Sequence, residues 1–307
     1  MASIKIGMVG LDTSHCEVFI KALNYEEGPA SVKGGKVVGA FPGGSKLCAV
    51  SRDRVEKFTK TINEDHGVKL YDSMEDLGKD VEAFVLSSVD GRQHLEQFEV
   101  LSQFGRPVFM DKPMACSFAD ARRIADLAAE RGAPVMSASG VRFSSSAKDL
   151  LEPDAQVISC EAFGRMPVLD DYPTYFWYGV HSADLLFSQM GKGCKSVQAL
   201  GRRTATEHGD EMDVLVGQWE DGRVGTIRGA RSLQLPFGCV VYSSKGIVQT
   251  PIGGGSSAYN PLLENVISFL KTGESPVDIE ETVEVMAFLE AAGQSLEKGG
   301  RPVKLPR

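Results

Sequence analysis

The segment Val9 to His15, VGLDTSH, puts Gly10, Asp12 and His15 at the three places where a pyrophosphate-binding turn uses glycine. In such a turn the first glycine permits the tight bend, the second lets backbone approach the phosphates, and the third lets the next helix pack closely on its strand. Gly10 alone meets that pattern. A carboxylate facing a pyrophosphate would be repelled, at a cost on the order of a few kcal/mol for like charges a few ångströms apart. Asp12 therefore has two readings. It can cap the helix, with Thr13 and Ser14 as the other cap candidates before Cys16, and His15 then packs against the sheet. Alternatively the turn Gly10, Leu11, Asp12, Thr13 and Ser14 keeps a ligand role, because unpaired N–H groups at a helix start attract phosphate.

The elements that must hold this turn are legible around it. IKIGMV reads as a buried strand and SHCEVFIKAL as a helix, the usual entry to a dinucleotide-binding fold. KVVGAF, VKLY, AFVLSS, PVFMDKP and APVMSA continue as strand-like runs separated by helical patterns, which predicts a parallel sheet with crossover helices. The clearest helix runs from Phe118 to Arg131, with Ser117 as a cap, Asp120 in the first turn and Gly132 at its end. The second strand ends in GAFPGGSKL without the acid that would hold a ribose diol. Ser45 in that loop is a cofactor-binding candidate, and Lys46, Arg52 and Arg54 lean toward NADP unless they are simply solvated.

After about Arg142 the pattern changes. AQVISCEAFG, KSVQALGRRT, MDVLVGQWEDGRVGTIRGA and GCVVYSSKGIVQT read as strands joined by turns, predicting a mostly antiparallel sheet. A helix containing VHSADLLFSQM is inserted early. Two more are expected near Pro261 to Thr272 and Ile279 to Lys298, with PIGGGSSAYN as a surface loop.

Composition excludes several classes. A net charge of −8 and no block of Lys and Arg argue against nucleic acid as a partner. The six cysteines lie far apart with no C-x-x-C pair, so neither a metal site nor a disulfide framework is signalled, and reduced thiols in a cytoplasm fit best. The start of the chain has no signal-peptide pattern and no apolar run reaches membrane-spanning length, so neither export nor a membrane is expected.

From LSSVDGRQHLEQFEVLSQFGRPVFMDKPMACSFADARRIADLAAERG to VMSASGVRF, and again in FLKTGESPVDIEETVEVMAFLEAAGQSLEKGGRPVKLP, the chain resembles the Gfo/Idh/MocA oxidoreductase family. Asp111-Lys112-Pro113 matches that family's Glu-Lys-Pro with an acidic exchange. The resemblance implies an α/β protein with an N-terminal Rossmann domain, residues 1–139. An α+β substrate domain, residues 140–307, would follow, with an open sheet that serves as a homo-oligomer surface. It implies NAD(P)-dependent hydride transfer on a sugar, cyclitol or related small polyol.

The resemblance also assigns roles. Lys112 would reach nicotinamide ribose and substrate hydroxyl, where a cation stabilises the developing alkoxide, and a cis bond before Pro113 would aim it. Ser87, Ser88 and Val89 would border the nicotinamide pocket, with His94 opening the helix beside it. In the family's Asp-x-x-x-His element the histidine is the general base. His181 fills that place, but Trp177 stands where the aspartate belongs. Asp184 can orient His181 or bond across the domain boundary. Arg142 can meet an anionic substrate group or form a boundary salt bridge. The aromatic run DDYPTYFWYGVH can offer a stacking platform, with Trp177 as a substrate contact. The rivals are a regulatory protein of the same fold that binds cofactor or sugar without turnover, and a lyase or hydrolase with no net redox.

Overall fold

The computed structural model describes residues 3–25, 31–144, 151–201, 212–252 and 256–307, and it divides into two compact units. The first comprises Met1–Ala115, Ala119–Ala138 and Leu262–Ile279, and the second comprises Cys116–Phe118, Ser139–Pro261 and Glu280–Arg307. The chain leaves the first unit after Ala138 and returns to it at 262–279.

The first unit is a six-stranded, all-parallel sheet in the order β3-β2-β1-β4-β5-β6. Its strands are β1 (Ile4–Val9), β2 (Gly35–Phe41), β3 (Lys69–Leu70), β4 (Ala83–Leu86), β5 (Val108–Met110) and β6 (Val135–Ser137). Parallel strands covered on both faces read as continuous apolar runs, and every residue of β4, β5 and β6 is buried. The helices that follow the strands include α1 (Ser14–Asn24), α2 (Ala49–Arg52), α3 (Val55–Glu64), α4 (Met74–Asp80), α5 (His94–Leu101) and α6 (Phe118–Arg131). The strand order reverses between β1 and β4, so their carboxyl ends form the crevice where this fold takes a ligand.

The second unit holds a seven-stranded sheet ordered β12-β11-β7-β10-β9-β8-β13. The strands are β7 (Val157–Arg165), β8 (Cys194–Leu200), β9 (Met212–Trp219), β10 (Val224–Ala230), β11 (Phe237–Ser243), β12 (Gly246–Ile252) and β13 (Val303–Lys304). Every neighbouring pair is antiparallel except β7 with β10. One face is covered by α7 (Gly179–Met190) and α9 (Ile279–Glu297), where Phe187 meets both Trp219 and Phe288. Alternation along β7 follows from this: Cys160, Ala162 and Gly164 are buried, whereas Ser159, Glu161, Phe163 and Arg165 on the other face are half-buried. The expected surface loop PIGGGSSAYN is corrected at its second half. Helix α8 (Ser256–Thr272) begins inside it and carries Pro261. No described helix is long and apolar enough to cross a membrane.

Candidate active site

The phosphate turn is built by Gly10 and by an inward-facing Asp12. Gly10 has φ +90, and a side-chain carbon there would stand 2.3 Å from the Ser88 amide nitrogen, so only glycine lets the β1 and β4 ends approach. Asp12 is fully buried and does not cap α1. Its carboxylate accepts from the Ser51 hydroxyl at 2.6 Å and the Val89 amide at 2.9 Å. Burial pushes its carboxyl up, against those two donors. Thr13 is the cap, accepting from the His15 amide at 3.4 Å. The charge of Asp12 is thus spent inside the unit, and the N–H groups of Thr13 and Ser14 have no acceptor among the described residues. A helix of 11 residues opening on free N–H groups, beside a buried Ser88 hydroxyl that no protein group answers, suits the pyrophosphate and ribose of a dinucleotide.

His15 does more than pack. Its Nδ1 lies 2.6 Å from Oδ2 of Asp111, and its ring leans on Phe19 at 5.4 Å. Burial alone would raise the Asp111 carboxyl, but the His15 ring and Lys112 outweigh it and hold it at about 2. The third glycine's replacement and the acidic exchange ahead of Lys112 are therefore two halves of one contact. Lys112 follows Asp111 at the carboxyl end of β5, is half-buried, and is joined to Pro113 by a cis peptide, as expected.

The loop after β4 is tied from both sides. Ser87 donates to the Gly10 carbonyl at 2.8 Å. His94, fully buried at the start of α5, faces the Ser88 carbonyl at 2.8 Å through Nε2 and the Met114 carbonyl at 3.2 Å through Nδ1. Burial depresses its basicity, and a neutral ring has one N–H, so the shorter Ser88 contact is the donated one. His94 braces the two loops that flank Lys112. At the end of β2, Ser45 donates to Asp90 at 2.6 Å and accepts from the Leu47 amide, while Arg92 also grips Asp90. Arg52 donates to the Lys46 carbonyl, and Lys46, Arg52 and Arg54 are all exposed.

In the second unit, His181 sits in the first turn of α7 among half-buried rings, 5.3 Å from Tyr178 and 5.0 Å from Phe237. Trp177 stacks edgewise on Tyr172 and Tyr178. Arg165 lies 4.4 Å over the Tyr178 ring. The ring's Nδ1 is 2.6 Å from the hydroxyl of Ser139. Asp184 is bonded to the Ser139 amide at 2.7 Å and to Arg142 at 3.0 Å, and Arg142 also pairs with Glu281. The Arg142 side chain is only 7% exposed in this triad, so of its two readings the salt bridge describes it. Burial raises the Asp184 carboxyl against the pull of Arg142 and the Ser139 amide.

Sequence reasoning named Gly10, Asp12, Ser87, Ser88, Val89, His94 and Lys112 as candidates, and they lie just beyond the carboxyl ends of β1, β4 and β5. It missed Ser51, Ser139, Glu281 and the His15–Asp111 contact. Only the last had a visible signal, two departures from one family pattern in a single chain.

Residues 4–139 match the model of the oxidoreductase family with an NAD-binding Rossmann fold. No curated protein matches the sequence. Among solved structures, the chain is 17% identical to GenD2 from gentamicin A biosynthesis in complex with NAD, covering 100% of this chain and 97% of that one at a TM-score of 0.78. A probable dehydrogenase from Thermotoga maritima is 20% identical, with 98% and 99% covered and a TM-score of 0.78. The myo-inositol dehydrogenase of Lactobacillus casei, in complex with NAD(H) and myo-inositol, is 18% identical, with 100% and 98% covered and a TM-score of 0.76. At such identities these likenesses establish the fold. The strand order, the Gly10 turn and the Asp-Lys-Pro motif accord with that match, so residues 4–139 form an NAD-binding Rossmann domain like that of the Gfo/Idh/MocA oxidoreductase family.

Proposed function

We propose that the protein is an NAD(P)-dependent oxidoreductase that moves a hydride to or from a sugar, cyclitol or related small polyol. The observation that carries this reading is the placement of Lys112 at the same strand-end edge as Gly10 and the free N–H groups of Thr13 and Ser14, where this fold takes its dinucleotide. When bound, the dinucleotide supplies or accepts the hydride. Lys112 then serves the reacting oxygen as the cation that stabilises its developing charge. In the second unit His181 is the candidate group for the substrate hydroxyl, and the rings of Trp177, Tyr178 and Phe237 beside it suit the apolar face of a sugar or cyclitol. The myo-inositol bound by the Lactobacillus casei relative belongs to this class.

The test is titration with reduced NAD and NADP, read by nicotinamide fluorescence, followed by a screen of sugars and cyclitols for absorbance change at saturating cofactor. Cofactor binding with oxidation of at least one polyol is expected. Binding without turnover on any of them would favour a regulatory binding protein instead.

Three finer proposals accompany this one. The exposed Lys46, Arg52 and Arg54 favour the 2′-phosphate of NADP. The face of the second sheet away from α7 and α9 carries the exposed apolar side chains of Leu200, Met212, Val224, Tyr242 and Ile247, which suits pairing with a second copy of the chain. None of the six cysteines forms a disulfide, which suits a reducing cytoplasm.

A further inference from the structure

The Ser139 hydroxyl is buried, and its oxygen has two neighbours: the Val141 amide, which donates to it at 3.4 Å, and Nδ1 of His181 at 2.6 Å. A buried hydroxyl keeps its own proton bonded. Among the described residues the only acceptor for that proton is Nδ1 of His181. Ser139 cannot drift from this position, because its amide is held by Asp184, whose carboxylate is held in turn by Arg142. A carboxylate facing the ring would instead accept a hydrogen bond from Nδ1–H and leave the lone pair on the other nitrogen. Here the carboxylate is spent on the backbone of Ser139, and the hydroxyl faces the ring.

We propose that Ser139 is the positioning residue of His181: it donates to Nδ1 and so fixes the tautomer of the neutral ring that carries its proton on Nε2. On the hydride-transfer reading, on which the consequence rests, His181 then meets the substrate oxygen as a hydrogen-bond donor, because a nitrogen already protonated cannot accept the hydroxyl proton. In the oxidative direction the substrate C–H bond breaks with its electron pair passing to the dinucleotide as hydride. The O–H bond would break with its proton passing to solvent water, and its electron pair would form the second C–O bond. The substrate is oxidised and the dinucleotide reduced.

Nitrogen-15 spectra of histidine-labelled full-length protein, with the His181 signal assigned by its loss in His181→Gln, distinguish a protonated ring nitrogen from one with a lone pair. At neutral pH the expected result is a proton on Nε2, a mixed or reversed tautomer in Ser139→Ala, and recovery in Ser139→Thr. A proton on Nδ1 in the parent, or a signal unmoved by Ser139→Ala, would overturn the assignment. Ser139→Ala should also lower kcat about 10- to 100-fold with KM nearly unchanged. The spectra need no substrate, so the two readings fail separately. The expected tautomer with no polyol oxidised would sink hydride transfer and leave Ser139 as the ring's partner, whereas turnover with the Nδ1 tautomer would do the reverse.

Discussion

At the phosphate turn the residues that depart from the family pattern are ionisable, and each is answered by a specific partner: Asp12 by Ser51 and Val89, His15 by Asp111. Around His181 the departure is answered by a neutral group. Trp177 replaces the carboxylate, Ser139 supplies the contact, and the nearby carboxylate of Asp184 turns to backbone and Arg142. Buried charge punishes the loss of its partner with the full desolvation cost, whereas a neutral hydrogen bond costs far less to lose. The first region should therefore reveal itself in stability and the second in turnover.

The largest effect should come from Lys112→Met. It keeps the packing, removes the cation, and is expected to lower hydride transfer by about a thousandfold or more while dinucleotide fluorescence still titrates. A variant that turns over at the parent rate would remove Lys112 from the chemistry.

Next should come His15→Ala, which leaves Asp111 buried without its partner and should cost about 3–5 kcal/mol in chemical denaturation. The pair also predicts a pH signature. Asp111 titrates at about 2 in the folded protein against 3.8 for the ordinary side chain. Its contribution, about 2 kcal/mol, is complete above the ordinary value and disappears as pH falls from near 4 to near 2. That part of the acid transition should be missing in Asp111→Asn. Ser139→Ala, by contrast, should cost only about 1 kcal/mol in the same assay. Equal losses at the two sites would erase the comparison.

Asp12→Gly should cost about 1–3 kcal/mol, since the Ser51 hydroxyl and the Val89 amide each lose an acceptor. Dinucleotide affinity should not rise, because the carboxylate already faces inward. Tighter binding with an unchanged melting temperature would mean that Asp12 turns outward in solution. The smallest expected effect is on cofactor choice. NADP should bind more tightly than NAD by a margin that shrinks with added salt, and equal affinities at all ionic strengths would dismiss Lys46, Arg52 and Arg54.

The sheet of the first unit was legible because buried parallel strands write themselves as apolar runs, and Phe118 to Arg131 was legible because its cap, first-turn acid and closing glycine all stand in the sequence. Helix α8 was not fully legible, since Gly, Ser and Pro261 at its start all read as loop. At the site, Gly10 follows from the strand–turn–helix pattern, and Lys112 from the resemblance to the family's Glu-Lys-Pro motif. The partners of Asp12 and His181 do not, because Ser51 and Ser139 are 39 and 42 positions away and serine carries no pattern of its own. Such contacts arise only when the fold closes.

The return of Leu262–Ile279 to the first unit bears on how such chains can be recombined. Within that unit Ile267 of α8 lies against the start of β2 so closely that a side-chain carbon on Gly35 would fall 2.4 Å from its Cδ1. A chimaera exchanging only residues 1–138 with a relative would seat a foreign strand on the native helix. The inheritable module is therefore a split one, and a functional exchange must carry residues 262–279 together with the N-terminal part.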